Sequence, residues 1–483
     1  AEVRARVIGE GANLGVTQRG RVEFARRGGR INTDAIDNSG GVNSSDMEVN
    51  IKIALGMTEQ AGKIDREQRN RLLAEMTDEV AALVLRNNYL QTLSLSLSVA
   101  RGTEENGYAI LLMHDLEKRG LLDRELEALP DDAEIKARDA RRETLTRPEL
   151  AMLLAYAKIA LNHDLLESNV PDDEYLSREL MRYFPQRMVQ SHAEEIKQHR
   201  LRREIVATVL SNSMINRGGP SFVVRLQSET GATPADIAAA FAVARDSFDF
   251  IAINHATDGL DNKIEIALQT RLYLELQALL RRATQWFLRN SALDSGLNDI
   301  VSRYRQGIDQ LRAALNEYLP QMAVDALRKR AEELRAAGLP EELSHRIAGL
   351  AYLQRAPDIV QVATECGATL EAAAKVLYAT GAQFDIDGVI RRAEKLVAKD
   401  FFERLAINRT IDQVFLSHRA ITGQVLDLYG TSHDPWSAWA QAHGERINII
   451  LSTMSELLAE KDFDLAKLSV AQGLLSDLAA TRA

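Results

Sequence analysis

From about residue 45 to its C-terminus the chain is written in helical period, and that run constrains its fold more than any other feature. Between 65 and 86, Leu72, Met76, Val80 and Leu83 recur on one face with charges on the others, the pattern of a helix that buries one stripe. The helix starts are equally clear. Thr146, Pro148 and Glu149 supply a cap, a first-turn proline and a capping-box partner, and Thr233-Pro234 with Asp236 repeats the device. Gly218-Gly219-Pro220, Gly259, Gly338-Leu339-Pro340 and Gly430 act as stops. No repeat of the roughly 30–45-residue kind runs through these helices, which argues against a solenoid. TLSLSLSVA (92–100) alternates strictly, a strand pattern when taken alone, but its helical neighbours argue against that reading. The last 350 residues or so are expected to form an all-α body.

The front of the chain differs. Arg4 and Arg6 alternate with Val3, Ala5 and Val7, which predicts a strand, and residues 1 to about 45 have β and loop character. GEGANLGVT (9–17) has the glycines of a dinucleotide loop, but the fingerprint's third glycine would fall on Leu14. The following VTQRGRVEFARRGGRINT (16–33) lacks an amphipathic period, so no helix is expected to open at Gly15. Ser45-Asp46-Met47-Glu48 reads as a capping box before VNIKIAL. A ligand site is plausible physics here. The GAN turn presents little side chain, and Asn13 offers both a donor and an acceptor. NSGGV (38–42) exposes backbone amides, and a helix N-terminus at Ser45 would favour a carboxylate or phosphate. The same residues also serve as ordinary turns and caps, and composition alone leaves the two readings level.

Other chemistries are disfavoured. The 483 residues are 46% hydrophobic and 27% charged, which suits a soluble protein of two to four domains. Net charge is −10, and the arginine clusters 26/27/30, 138/141/142 and 200/202/203 lack interleaved aromatics, so nucleic acid is not expected. Cys366 is the sole cysteine, which rules out an internal disulfide, fits a cytoplasmic setting, and reads as packing beside Gly367. His192 and His199 lie seven apart and read as exposed or capping, as do His433 and His443; no metal is expected. There is no G-x-S-x-G elbow, and no apolar run is long enough to span a membrane. A chain that opens on a strand without an initial methionine reads as a piece of something longer.

GEGAN followed by NSGGVNSSDME resembles the closing half of the nucleotide-binding domain of glutamate dehydrogenases and related amino-acid dehydrogenases. The later phrases LTRPELAMLLAYAKIAL, PDDEYL, YFP, HRLRREIVATVLSNSMINRGG and GAQFDIDGV are similar to the C-terminal region of the very large bacterial NAD-specific glutamate dehydrogenases. The likeness spans nearly the whole chain. It implies a mainly α fold, in which an N-terminal remnant of a Rossmann-type α/β nucleotide-binding domain precedes a large helical region. On this division residues 1–130 are the end of the catalytic region and 131–483 an all-helical C-terminal domain. NAD is the implied cofactor, and L-glutamate and 2-oxoglutarate the substrates. The implied partners are an upstream catalytic region of the same polypeptide and further copies in a homo-oligomer.

Residue by residue, the resemblance gives Asn13 to the nicotinamide-ribose end of NAD and places Asn38 near the carboxamide. Gly11, Gly40 and Gly41 permit close approach, and Ser45 helps to hold a substrate carboxylate. The family's G-x-G-x-x-G turn, catalytic lysine and aspartate general acid find no match here. No catalytic residue is therefore expected in this chain, and on its own it is expected to be inactive. The competing expectation, from a different class, is a helical regulatory or oligomerisation module with no catalytic role of its own. A neighbouring amino-acid dehydrogenase specificity is a third.

Overall fold

The computed structural model describes residues 3–293 and 296–480, and the regular elements among them are helical. By internal contacts the chain divides into two compact units, Ala1–Ala244 with Thr270–Asn298 and Arg245–Gln269 with Asp299–Ala483. The expected strand at the front does not form. Val7 and Arg30 make a single parallel bridge, held by Ile8 N donating to Arg30 O and Arg30 N donating to Arg6 O, each at 2.9 Å. Val3 and Val7 are 58% and 64% exposed. Alternation specifies a strand when one face is buried and a neighbour completes the ladder, and here neither condition is met. The described residues contain no sheet, so a Rossmann-type arrangement is not seen among them.

Residues 1–45 are also more helical than their sequence suggests. Helix α1 (Gln18–Arg26) opens three residues after Gly15, where none was expected, and Thr17 caps it by accepting from Gly20 N. Its one buried residue is Arg21, so an apolar period could not have revealed it. Helices α2 (Asp34–Asp37), α3 (Ser39–Gln60), α4 (Arg66–Glu75), α5 (Thr77–Ala100), α6 (Glu104–Lys118), α7 (Asp132–Ala140), α8 (Arg147–Leu166), α9 (Arg178–Tyr183), α10 (Gln186–Lys197) and α11 (Arg202–Gly218) follow. The 92–100 stretch is the end of α5, as its neighbours implied. Ser94 and Ser98 are buried beside Leu95 and Leu97, and Ser94 Oγ donates to Ile215 O of α11 at 3.3 Å. Small hydroxyls there let the two helices approach closely. Thr146 and Glu149 form the expected capping box of α8.

Helix α3 carries the candidate site at its first turn and anchors it through its middle. Ile51, Ala54 and Leu55 share a core with Leu180, Phe184, Met188, Ile196 and Ile205, each large side chain contributing roughly 1.5–3 kcal/mol by burial. A polar clamp fixes the register. Asn50 Nδ2 donates to Tyr183 Oη at 2.9 Å, Tyr183 Oη donates to Asp46 Oδ2 at 2.7 Å, and His199 Nε2 bonds Asn50 O at 3.0 Å. His199 is 1% exposed, so it is not an exposed residue, while its Nδ1 accepts from Leu201 N at the start of α11 at 3.1 Å; burial lowers its pKa and keeps the ring neutral.

In the second unit, Phe401–Tyr429 packs along Leu465–Ala479, burying Val414, Ile421 and Val425 with Leu468, Leu475 and Leu478. Trp439 is fully buried, with the His443 ring stacked on it at 4.7 Å between centroids.

Candidate functional site

The two glycine-rich loops singled out in the sequence meet. Asn38 Nδ2 donates to Asn13 Oδ1 at 2.9 Å, across 25 residues of chain. The contact is built from below by carboxylates of the 34–37 segment. Glu10 N donates to Asp37 Oδ2 at 3.0 Å and Leu14 N to Asp34 Oδ2 at 2.8 Å, so both flanks of the GAN turn are fastened to α2. The Leu14 amide is also what chiefly holds the Asp34 carboxyl below its usual range. Leu14 itself sits at φ 58° and is 85% exposed, a left-handed conformation uncommon outside glycine. Under the turn, Glu10 and Arg21, each 5% exposed, form a buried pair at 2.5 Å, and Arg21 also reaches Asp34 at 3.1 Å.

The second loop is tied from the other side. Asn88 of α5 donates to Ile36 O at 2.7 Å and to Ser39 Oγ at 2.9 Å, while Asn87 donates to Asn43 Oδ1 at 2.9 Å. Arg147, the first residue of α8, donates to Asn32 Oδ1 and Ser96 Oγ, each at 2.9 Å. Asn32 in turn donates to Asp37 at 2.8 Å. Sequence reasoning missed Glu10, Arg21, Asn88 and Arg147 as the scaffold of this site.

These bonds hold SGGVNS in helical form, so α3 begins at Ser39, not at Ser45. The reading of Ser45 as a cap is corrected by this placement. Ser45 is an exposed residue in the second turn, and the first turn of the helix lies at Ser39, Gly40 and Gly41, with Gly41 N donating to Asn38 O at 3.1 Å. The glycines differ in their need to be glycine. A Cβ on Gly11 meets nothing, and one on Gly40 makes an ordinary 3.6 Å contact with Val84, but one on Gly41 would lie 3.0 Å from Asn38 Oδ1. Gly41 thus makes room for the Asn38 amide.

A shallow groove of about 700 Å³ lies among Arg19, Arg26, Arg124, Arg138 and Arg141, and contains none of the expected site residues. Its arginines are largely occupied: Arg124 pairs with Asp132 at 2.6 Å, Arg138 with Glu149 at 3.0 Å and Arg141 with Glu143 at 3.1 Å. Burial pushes the Cys366 thiol up to about 12, which keeps it protonated at neutral pH. Among the described residues no three His, Cys, Asp or Glu side chains gather as a metal site would require, and no helix is long and apolar enough to cross a membrane.

Comparison with known proteins places this geometry in context. Residues 142–477 match the family described as "Glutamate dehydrogenase, C-terminal", and residues 1–98 match "Bacterial NAD-glutamate dehydrogenase, catalytic domain". The NAD-specific glutamate dehydrogenase of Halomonas elongata is 39% identical over 90% of this chain and 27% of its own length. That of Pseudomonas aeruginosa is 38% identical over 99% of this chain and 30% of its own, and that of Mycobacterium tuberculosis 34% over 97% and 29%. The chain spans under a third of the length of these relatives.

Proposed function

This chain belongs to the bacterial NAD-specific glutamate dehydrogenase family, and on that premise we propose that it supplies the nicotinamide-side wall of a cleft for oxidative deamination of L-glutamate. The reaction gives 2-oxoglutarate, ammonium, NADH and a proton from glutamate, NAD+ and water. When bound, NAD supplies the hydride acceptor; this chain binds and orients. Residues 1–130 are the end of the catalytic region, a remnant of a Rossmann-type domain, and 131–483 its helical C-terminal domain, in a cytoplasmic homo-oligomer.

The observation that carries the reading is the Asn13–Asn38 pair. Once Asn38 Nδ2 donates to Asn13 Oδ1, the Asn13 amino group and the Asn38 carbonyl oxygen remain as one donor set and one acceptor on an accessible face. A primary carboxamide needs that complement, so these residues fit the nicotinamide amide. Gly41 keeps the Asn38 amide in place, while Gly11 and Gly40 leave the approach open. Ser45, an exposed hydroxyl in the second turn of α3, donates to the substrate carboxylate. No catalytic lysine or general acid is assigned to this chain, so its own turnover is expected to be nil. In the active enzyme Asn38→Ala should raise KM for NAD roughly tenfold, about 1.4 kcal/mol, and leave KM for glutamate nearly unchanged. An unchanged KM for NAD would overturn the assignment. Steady NADH formation by the pure chain would overturn the expected inactivity.

A mainly architectural role would be favoured by an apolar stripe on 262–290 or 435–459. In those stretches Ile266 (73%) and Ile449 (61%) stand exposed singly, as on ordinary surfaces.

A further inference from the structure

Arg147 ties one family match to the other. It lies within residues 142–477, while its hydrogen-bond partners Asn32, Thr92 and Ser96 all lie within 1–98. Its side chain is not needed for its own helix, because Thr146, Pro148 and Glu149 already supply the start of α8. It reaches out in two directions instead.

One arm runs to the GAN turn. Arg147 Nε donates to Asn32 Oδ1 at 2.9 Å, Asn32 Nδ2 donates to Asp37 Oδ1 at 2.8 Å, and the other oxygen of Asp37 accepts from Glu10 N at 3.0 Å. The second arm runs to α5. Arg147 Nη1 donates to Ser96 Oγ at 2.9 Å and Nη2 to Thr92 O at 3.4 Å. Asn88 stands one turn before Thr92 on the same face of α5, and it holds Ile36 O and Ser39 Oγ at the start of α3. A guanidinium, with its donors on a rigid fork, serves both arms at once, whereas an ammonium donates from a single point. The acceptors of Arg147 are all neutral. Burial draws its guanidinium below the usual range, opposed by the nearby Asp37 carboxylate. A half-buried charge held by neutral acceptors is a poor way to stabilise a fold, since an apolar side chain of similar volume would avoid the desolvation. What the position gains from arginine is the direction of its donors.

We propose, on the reading of Asn13 and Asn38 as the nicotinamide contact, that Arg147 is a positioning residue for NAD, bracing the GAN turn and the start of α3 from the first turn of α8. The helical region thereby sets the affinity of the cofactor wall without touching the cofactor.

The first readout needs no cofactor. Arg147→Met fills the space but removes every donor. In the whole chain, amide exchange resolved by NMR should show the Glu10 amide exchanging at least roughly threefold faster in this variant. The Leu150 amide, which donates to Thr146 O at 2.9 Å in the first turn of α8, should keep its rate. The second readout is kinetic, in the active enzyme. Arg147→Met should raise KM for NAD between roughly threefold and roughly thirtyfold and leave KM for glutamate nearly unchanged. Arg147→Lys, which keeps the charge, should not restore it. Asn32→Ala cuts the same arm at its next link and should shift both readouts alike, so it decides if Arg147→Met does not fold. Tyr156→Phe, which removes the Tyr156–Glu127 bond from the same helix, should move neither. Unchanged Glu10 exchange overturns the brace, whatever the site binds. Full recovery by Arg147→Lys, or an equal shift from Tyr156→Phe, overturns it as well. Faster exchange with an unchanged KM for NAD overturns its bearing on the cofactor when Asn38→Ala does raise that KM; when Asn38→Ala leaves it unchanged too, the nicotinamide reading falls and takes the proposal with it.

Discussion

Glutamate 149 is the most exacting test of how the first unit is held together. Its side chain is 1% exposed and accepts from Thr146 N at 2.6 Å, from Thr146 Oγ1 at 2.7 Å, and from Arg138 Nη1 at 3.0 Å through both oxygens. Glu149→Gln keeps an acceptor for the cap but removes the charge facing Arg138, itself 5% exposed. Breaking a buried pair from one side costs about 3–5 kcal/mol when the remaining ion has no other partner. Arg138 has one: Glu134 at 2.9 Å, with 38% of its side chain exposed. The expected loss is therefore about 2–3 kcal/mol for Glu149→Gln. Glu149→Ala also removes the capping-box acceptor and adds about 0.5–2 kcal/mol. The double variant Arg138→Met with Glu149→Gln leaves no uncompensated charge and should sit within about 1 kcal/mol of the parent. Because the chain has two units, global unfolding would blur the reading. Amide hydrogen exchange of α8, followed by mass spectrometry, reports the local free energy directly. A loss below about 1 kcal/mol for Glu149→Gln, or a double variant no better than the single, would refute the reasoning.

Three further outcomes are expected. Burial lowers the Lys158 ammonium to about 7, with Gln91 Oε1 at 3.2 Å accepting from it; the unfolded chain then holds more protons between about 7 and 10.5, so stability rises with pH across that window, and Lys158→Met should flatten the rise in pH-dependent denaturation and stabilise the protein near pH 7 by a few kcal/mol at most. Gly41→Ala should cost little stability, since alanine favours the helix by about 1 kcal/mol, yet weaken NAD binding in the active enzyme by moving the Asn38 amide; a stable variant with unchanged KM for NAD would count against the site. Cys366, pushed up to about 12, should react with a neutral-pH thiol reagent far more slowly in the native state than in denaturant, and equal rates would show that it is not shielded.

The helical body was legible because its signals are local. Thr146 and Glu149 stand three residues apart, and Leu72, Met76 and Val80 keep helical spacing even though Met76 is the junction between α4 and α5. What the sequence hid depends on partners far along the chain. Helix α1 rests on Arg21, which means nothing until Glu10 is placed beneath it. Ser45 looked like a cap because SSDME satisfies that pattern, whereas Asn88, 49 residues beyond Ser39, extends the helix across two glycines that propensity would leave in a loop. His199 seemed exposed because its acceptor, Asn50 O, is 149 residues away. The meeting of Asn13 and Asn38 was approached through resemblance alone, for two asparagines 25 residues apart carry no spacing rule.

Helix α3 is a strut. Its first turn follows Asn38, and twelve residues further on, roughly 18 Å along the axis, Asn50 is clamped by Tyr183 and His199. A helix that length transmits an axial displacement nearly undiminished. A genetic screen for altered dinucleotide affinity should accordingly return lesions at Tyr183 and His199 beside those at Asn38, and hypomorphic alleles there would masquerade as ligand-contact mutants.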